Sequence, residues 1–207
     1  MSAPHLLETM RAEGRAVALL DRHLARLASS AEALGYALDA EAVRQRVEAE
    51  ARAADGVRGV RLTVGSAGDA EVASWALGDV PFRTAWIDPE PFPDAGTWRC
   101  VHKTTARDPY RLRHERARQR GADEAILVNG RGEITEGTRT NVWAEIGGRL
   151  WTPPLAAGGL AGVFRAHVLA TDPLAGERVL TPADLRAADA VFLSNALRGW
   201  MPVALAG

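Results

Sequence analysis

The 207 residues of this chain are enough for one large domain or two smaller ones, each with a hydrophobic core. Hydrophobic residues make up 47% and charged residues 25% of the sequence, which is typical of a soluble globular protein. The formal net charge of −1 gives no indication of a polyanionic partner, and no apolar run approaches the length of a membrane span. We therefore expect neither a nucleic-acid nor a membrane partner.

The chain has one cysteine, Cys100, which excludes an internal disulfide bond and fits a reducing compartment. The residue lies in an apolar stretch, where we expect a small buried side chain. No signal peptide is recognised at the start of the sequence. These features predict a cytoplasmic protein.

The first half of the sequence predicts a hairpin, two helices and three strands. HLLETMR (5–11) and RAVALL (15–20) are short apolar runs separated by AEG, a pattern typical of a hairpin. Residues 21–36 and 39–54 carry apolar side chains at helical spacing, with Asp21 as the expected N-cap of the first helix. Three predicted strands follow, namely VRGVRLTVG (57–65), EVASWALGD (71–79) and RTAWIDPE (83–90).

A proline-rich segment divides the chain near its middle. PEPFPDAG (89–96) contains three prolines and a glycine, which is typical of a linker. We therefore predict a smaller N-terminal α/β domain over residues 1–88, a linker over 89–97 and a larger C-terminal domain over 98–207.

The second half alternates strands and helices. WRCVH (98–102) is strand-like, so Lys103 is expected at the end of a strand. The arginine-rich run at 111–120 is best explained as the solvated face of a helix. The further expected elements are a helix over 109–120, strands at 124–129, 133–135, 141–146 and 149–153, helices in VFRAHVLATD and TPADLRAA, and a buried strand in DAVFLSNAL.

Lys103 is the sole lysine among the 25 Lys and Arg residues of the sequence. It could be the last lysine that a coding bias has not yet converted to arginine. The alternative is chemical, because a desolvated lysine amine can lose its proton and attack a carbonyl carbon, whereas arginine stays protonated. A lysine that forms a Schiff base cannot be replaced by arginine.

Other polar residues could share a site with this lysine. Glu136, in GEITEGTRTNVW, is either a surface turn residue or the anionic partner of a pyridinium nitrogen. The glycines of GGLAGVFR (158–165) lead into a predicted helix whose first N–H groups could bind a phosphate. SNAL (194–197) could add donors and Arg26 a positive charge. Each feature alone is compatible with a structural role, but together they are the parts of a pyridoxal phosphate site.

The order of these parts resembles that of the fold-type IV pyridoxal phosphate enzymes. This family includes branched-chain aminotransferases, D-amino-acid aminotransferases and 4-amino-4-deoxychorismate lyases. The resemblance covers nearly the whole chain and implies two α/β domains with the cofactor between them, the first domain being shortened. The matching segments are LLETMR, LLDRHLARLASSAEALG, HKTTAR, GADEAILVNGRGEITEGTRTNVW, LWTPPLAAGGLAGVFR and ADAVFLSNALRGWMPV.

The resemblance implies a role for each candidate residue. Lys103 is similar to the Schiff-base and proton-transfer lysine, Glu136 to the partner of the pyridine nitrogen and Arg26 to a phosphate-binding arginine. The remaining implied phosphate contacts are the backbone N–H groups of Val163 and Phe164, with Asn195 and Ala196 on the other side. The family resemblance also implies a homodimer acting on a small molecule, and no metal site is predicted.

Two features resemble the lyases more than the aminotransferases. Thr9, in ETMR, matches a threonine that is associated with proton transfer in the lyases, and SNALRGWMPV resembles their C-terminal segment. The implied reaction converts 4-amino-4-deoxychorismate into 4-aminobenzoate, a folate precursor, and pyruvate. Arg11 and Arg107 are candidates for binding the two substrate carboxylates. The alternatives are a branched-chain or D-amino-acid aminotransferase and a non-catalytic family member.

Overall fold

The computed structural model describes residues 3–53, 55–78 and 82–207. The chain divides into two compact units, one formed by Met1–Asp79 with His102–Ala106 and the other by Val80–Val101 with Arg107–Gly207. Both units combine a sheet with helices, which confirms the predicted mixed α/β class. None of the described helices has the length and hydropathy needed to cross a membrane.

The first unit contains a four-stranded antiparallel sheet in the order β2-β1-β3-β4. Its elements are β1 (Leu6–Glu13), β2 (Ala16–Val17), α1 (Leu20–Leu34), α2 (Ala40–Arg52), β3 (Arg58–Val64) and β4 (Ala70–Ala76). The core lies between one face of this sheet and the two helices. Its buried members include Leu6, Met10, Leu27, Val47 and Leu62.

The two helices of this unit begin differently. Asp39 caps α2 by accepting a hydrogen bond from the backbone N–H of Ala42, as expected for a short acidic side chain at an N-cap. The N-cap of α1 is Leu19, in the left-handed conformation and without a side-chain hydrogen bond, so the prediction of Asp21 as N-cap was wrong. Asp21 lies instead in the first turn, where its charge favours the positive end of the helix dipole.

A short segment from the middle of the chain pairs with β1. The N–H of Leu7 donates to the carbonyl of Lys103, and the N–H of Thr105 donates to the carbonyl of His5, each at 2.9 Å. These bonds cover the edge of β1 that β2 leaves open. The preceding residues form a helical turn, α3 (Trp98–Val101), so the prediction of a strand there was wrong.

The second unit contains an eight-stranded mixed sheet in the order β10-β9-β8-β11-β12-β5-β6-β7. Its strands are β5 (Thr84–Ile87), β6 (Glu124–Val128), β7 (Ile134–Gly137), β8 (Asn141–Ile146), β9 (Arg149–Thr152), β10 (Ala175–Glu177), β11 (Ala190–Asn195) and β12 (Gly199–Ala206). Its helices are α4 (Asp108–Gln119), α5 (Val163–Thr171) and α6 (Pro182–Ala187), with a 3-10 turn at Leu155–Ala157.

The predicted boundary at 89–97 lies inside this second unit. Strand β5 pairs in parallel with both β12 and β6, so it belongs to the larger sheet rather than to the first domain. The proline-rich segment is anchored to this unit by Phe92, which is only 2% exposed and whose N–H donates to the carbonyl of Val128. The three prolines themselves are exposed, so the segment is a surface connection within one unit that is held by one buried aromatic side chain.

Ser194 and Trp143 form a fully buried hydrogen bond on neighbouring strands. The indole N–H of Trp143 donates to the Ser194 hydroxyl at 2.8 Å, and neither side chain is exposed. Replacing Ser194 with Ala leaves the indole N–H without an acceptor, which should lower the free energy of unfolding by about 1–3 kcal/mol. Urea denaturation measures this loss. The exposed Ser66→Ala provides the control, and an equal effect of both changes would contradict the prediction.

Candidate active site

The first unit contains Lys103, Thr9, Arg26 and Arg11 among the predicted site residues. The segment with Lys103 is held on β1 by the Leu7 N–H, and Thr9 follows two residues later on the same strand face as Leu7. His102 adds a tie to the helix, because its Nδ1 lies 3.1 Å from the Ser30 hydroxyl on α1. The fold of this unit therefore holds the backbone of Lys103 on the strand that carries Thr9.

Arg26 forms a forked ion pair with Glu8 on β1. Its Nε lies 2.8 Å from Oε1 and its Nη2 2.5 Å from Oε2 of Glu8, which is 1% exposed. His23 completes the group, with Nδ1 2.6 Å from the same Oε2. Burial raises the pKa of Glu8, but the opposing positive charge of Arg26 and the hydrogen bonds from His23 and Arg26 prevail and lower it to about 2.

Arg11 faces a different environment from Arg26. Its guanidinium bonds to the exposed Glu13 two residues along β1, with Nη2 3.0 Å from Oε2. An exposed pair of this kind contributes little to stability and exchanges readily with solvent. The arrangement therefore leaves Arg11 as a candidate for a charged substrate but gives no separate support for that role.

The second unit holds Glu136 in a buried and hydrogen-bonded position. Glu136 is 5% exposed, on β7. The hydroxyl of Tyr110 donates to its Oε1 at 2.7 Å, and the N–H of Leu160 donates to its Oε2 at 3.1 Å. The surface-turn alternative for Glu136 is therefore excluded. Burial raises the pKa of Tyr110 above its usual range, with the nearby Glu136 charge adding to the effect, so this hydroxyl remains a donor.

Arg107 lies beside this pair. Its guanidinium carbon is 4.4 Å from the centre of the Tyr110 ring, and its Nη2 donates to the carbonyl of Thr138. These contacts bring the positive charge of Arg107 to the neighbourhood of Glu136. Cys100 is 1% exposed, which agrees with the expected small buried side chain, and burial chiefly raises the pKa of its thiol to about 11.

The glycine-rich loop packs against Glu136 and opens helix α5. A side chain at Gly159 would lie 3.0 Å from the carbonyl of Thr135, and one at Gly162 would lie 1.8 Å from Oδ1 of Asn141. Gly162 is the N-cap and supplies no side-chain hydrogen bond to the helix. The first N–H groups of α5, at Val163 and Phe164, are thus the positive end of a helix that carries no side-chain cap.

Asn195 is the last residue of β11, and Ala196 begins the turn that leads to β12. The turn lies near the start of α5, because a side chain at Gly199 would come within 3.9 Å of the Phe164 ring. The side chain of Asn195 stabilises its own turn, with Oδ1 accepting the N–H groups of Leu197 at 3.1 Å and Arg198 at 2.9 Å. Its Nδ2 donates to the carbonyl of Arg139 at 3.2 Å, so both polar atoms of this side chain are engaged within the protein.

Three further residues, which are not among the predicted site residues, organise these groups. Glu8 and Tyr110 contact Arg26 and Glu136 directly. Glu124 is fully buried and accepts hydrogen bonds from the backbone of the turn that follows Glu136. A signal was present for Glu8, since strand alternation places it on the same face as Leu6 and Met10, where an apolar residue is expected.

Three comparisons relate the chain to known proteins. The profile of the family described as Amino-transferase class IV matches residues 5–206. A Schizosaccharomyces pombe protein provisionally named as aminodeoxychorismate lyase is 29% identical over 205 residues, which cover 96% of this chain and 88% of that protein.

Two crystal structures extend the similarity to the fold. A protein from Mesorhizobium loti, provisionally named as an amino-acid aminotransferase, has a TM-score of 0.89 and 35% identity, covering 98% of this chain and all of that one. The 4-amino-4-deoxychorismate lyase of Pseudomonas aeruginosa has a TM-score of 0.81 and 26% identity, covering 97% of this chain and 82% of that one. The similarity therefore spans both lyases and aminotransferases.

Replacing Gly162 with Ala tests the close packing at the start of α5. The added methyl group would displace the Asn141 side chain, whose Nδ2 donates to the carbonyl of Leu160 at 3.0 Å. We expect a loss of about 1–3 kcal/mol in the free energy of unfolding, measured by urea denaturation. Gly130→Ala is the matched control, since nothing lies within 4 Å of its added carbon. Equal stability of the Gly162 variant and the wild type would show that the loop is loosely packed.

Proposed function

We propose that this chain, which belongs to the amino-transferase class IV family, is a pyridoxal-phosphate-dependent lyase that converts 4-amino-4-deoxychorismate into 4-aminobenzoate and pyruvate. The observation that carries the lyase assignment is the attachment of the Lys103 segment to β1, the strand that carries Thr9. This attachment fixes the backbone of Lys103 beside Leu7. The hydroxyl of Thr9 lies two residues after Leu7 on the same face of the strand. Relatives named as lyases support the same assignment.

The described residues fit the cofactor in three respects. Lys103 supplies an amine, and Glu136 supplies a buried carboxylate whose orientation is fixed by Tyr110 and by a backbone N–H group. The uncapped start of α5 supplies N–H groups suited to a phosphate. We assign the phosphate to these N–H groups and to Arg26, with Asn195 and Ala196 as further backbone contacts.

Each residue then has a defined task. When bound, pyridoxal phosphate supplies an electron sink for the carbon that carries the substrate nitrogen. Glu136 keeps a negative charge on the side of the ring nitrogen. In the resting enzyme, Lys103 would hold the cofactor covalently. When the substrate amine has taken its place, the free amine of Lys103 would take the proton from that substrate carbon. Thr9 carries a proton toward the departing pyruvate unit. Arg11 and Arg107 are assigned to the two substrate carboxylates.

A class IV aminotransferase is the second candidate function. Its support is the 35% identity and full coverage of the Mesorhizobium loti protein, whose name is that of an amino-acid aminotransferase. An aminotransferase needs an α-keto acid as its second substrate. The lyase reaction needs none, because 4-aminobenzoate and pyruvate together contain all the atoms of 4-amino-4-deoxychorismate. The homodimer and the cytoplasmic location stay predictions.

A product assay distinguishes the two reactions. The purified protein is loaded with pyridoxal phosphate and given 4-amino-4-deoxychorismate without a keto acid. We expect 4-aminobenzoate and pyruvate in equal amounts, quantified together by chromatography. Formation of neither product, combined with turnover of D-alanine or a branched-chain amino acid once a keto acid is added, would instead establish the aminotransferase. A protein that is inactive in both assays would be a non-catalytic member.

Lys103→Ala and Lys103→Arg test the covalent role of the lysine. Neither variant should retain cofactor on the protein after borohydride reduction, because alanine has no amine and the arginine guanidinium stays protonated. Mass spectrometry of the reduced wild type should locate the added mass on the peptide that contains Lys103. Cofactor absorbance that borohydride still fixes to the Lys103→Ala protein would refute the assignment.

A further inference from the structure

Glu8 is a fully buried carboxylate in the apolar core of the first unit. It shares its strand face with Leu6 and Met10, both of which are completely buried. A carboxylate in such a place is unfavourable unless opposite charges and hydrogen bonds compensate it. Arg26 and His23 provide this compensation. An apolar side chain of similar volume would often stabilise a core equally well, so the charge calls for an explanation beyond folding.

We propose that Glu8 is a positioning residue that fixes the guanidinium plane of Arg26 for the phosphate of the cofactor. This inference rests on the proposed function, because it takes Arg26 as a phosphate ligand. It assigns Glu8 no contact with the cofactor or the substrate.

The geometry of the ion pair supports a positioning role. Glu8 engages Arg26 through two parallel hydrogen bonds, which define the plane of the guanidinium as a single contact would not. A long arginine side chain loses considerable rotamer freedom when it is held in one orientation, so an arginine already fixed by Glu8 loses less when an anion binds.

The exposure of the three side chains points in the same direction. The side chains of Glu8 and His23 are 2% and 1% exposed, whereas that of Arg26 is 13% exposed. Arg26 is therefore the most accessible member of the group. His23 bonds through Nδ1 to the same carboxylate oxygen that Nη2 of Arg26 contacts, and its Nε2 has no hydrogen-bond partner among the residues that the structure describes. Burying that unpaired nitrogen is unfavourable, and the bond from Nδ1 to Glu8 offsets part of this cost.

The group lies close to the segment that carries Lys103. Leu7, the neighbour of Glu8, donates its N–H to the Lys103 carbonyl. Ser30, one helical turn after Arg26, contacts His102. The strand residue next to Glu8 is thus bonded to Lys103, and the helix residue one turn after Arg26 is bonded to His102, which precedes the lysine. This connection places the oriented arginine in the same local framework as the predicted covalent attachment point.

The test compares the dissociation constants of pyridoxal 5′-phosphate and pyridoxal, which differ in the phosphate group. Both are measured by equilibrium absorbance titration of the apo-protein, without any substrate. The preference of the wild type for the phosphorylated form should fall by about tenfold in Glu8→Gln, a change of about 1.4 kcal/mol. The affinity for pyridoxal itself should be unchanged, because Glu8 acts through Arg26 alone.

Two sets of variants separate positioning from stability. Glu13→Gln, on the same strand but exposed, is the matched control and should leave the preference intact. Arg26→Ala should also lose the preference, and adding Glu8→Gln to it should cause no further loss. Glu8→Asp retains the charge but shortens the side chain, so it remains informative if Glu8→Gln folds poorly. We expect a smaller loss of preference in that variant.

The outcomes distinguish this inference from the function on which it rests. A wild type that binds both aldehydes equally would overturn the phosphate site, and with it both proposals. A wild type that prefers the phosphate form while Glu8→Gln and Glu8→Asp keep the same preference would overturn the positioning role only. A lower unfolding temperature with an unchanged preference would likewise assign Glu8 a purely structural role.

Discussion

A carboxylate removed from water must be compensated by donors and positive charges on every side, and this constraint shapes both units of the chain. In the first unit Glu8, on strand β1, bonds to His23 and Arg26, which both lie on α1. In the second unit Glu136 draws Tyr110 on α4 and the loop before α5 toward strand β7. Each buried charge therefore fixes the relative positions of a strand and the elements packed on it.

Glu124 shows how the same constraint determines a local sequence. Its carboxylate accepts the N–H groups of Thr138 and Arg139, each at 3.1 Å, together with the Thr138 hydroxyl. The turn can approach this closely because position 137 is glycine, where a side chain would lie 2.2 Å from the hydroxyl oxygen of Thr140. The polar run after Glu136 thus supplies donors to a buried anion. The same hydrogen bonds determine the direction in which the chain leaves the end of β7.

Local patterns were sufficient for most elements, since helical spacing predicted α2 with its buried Val43 and Val47, and a capping pattern predicted α6. They failed where tertiary contacts decide the structure. WRCVH has the alternation of a strand, but its N–H groups bond back to Thr97 and close a helical turn. The segment before it looks like a linker, yet Phe92 is drawn into a core that is formed by residues distant in sequence. The partners of Arg26 and Glu136 also come from other parts of the chain, so no local motif could pair them, although strand alternation marks Glu8 as a charged residue on a buried face.

The candidate residues are divided between the two units. This division offers a reason why one fold is found in both lyases and aminotransferases. Lys103 and Thr9 belong to the first unit, whereas Glu136 and the start of α5 belong to the second. A buried carboxylate and helix N–H groups serve any reaction that uses the same cofactor, because they bind the parts of it that do not change. The outcome of the reaction depends instead on where protons are delivered. In the proposed lyase, Thr9 supplies a hydroxyl on the strand that holds the lysine backbone, so a single substitution at position 9 would change proton delivery without altering the buried Glu136 or the start of α5.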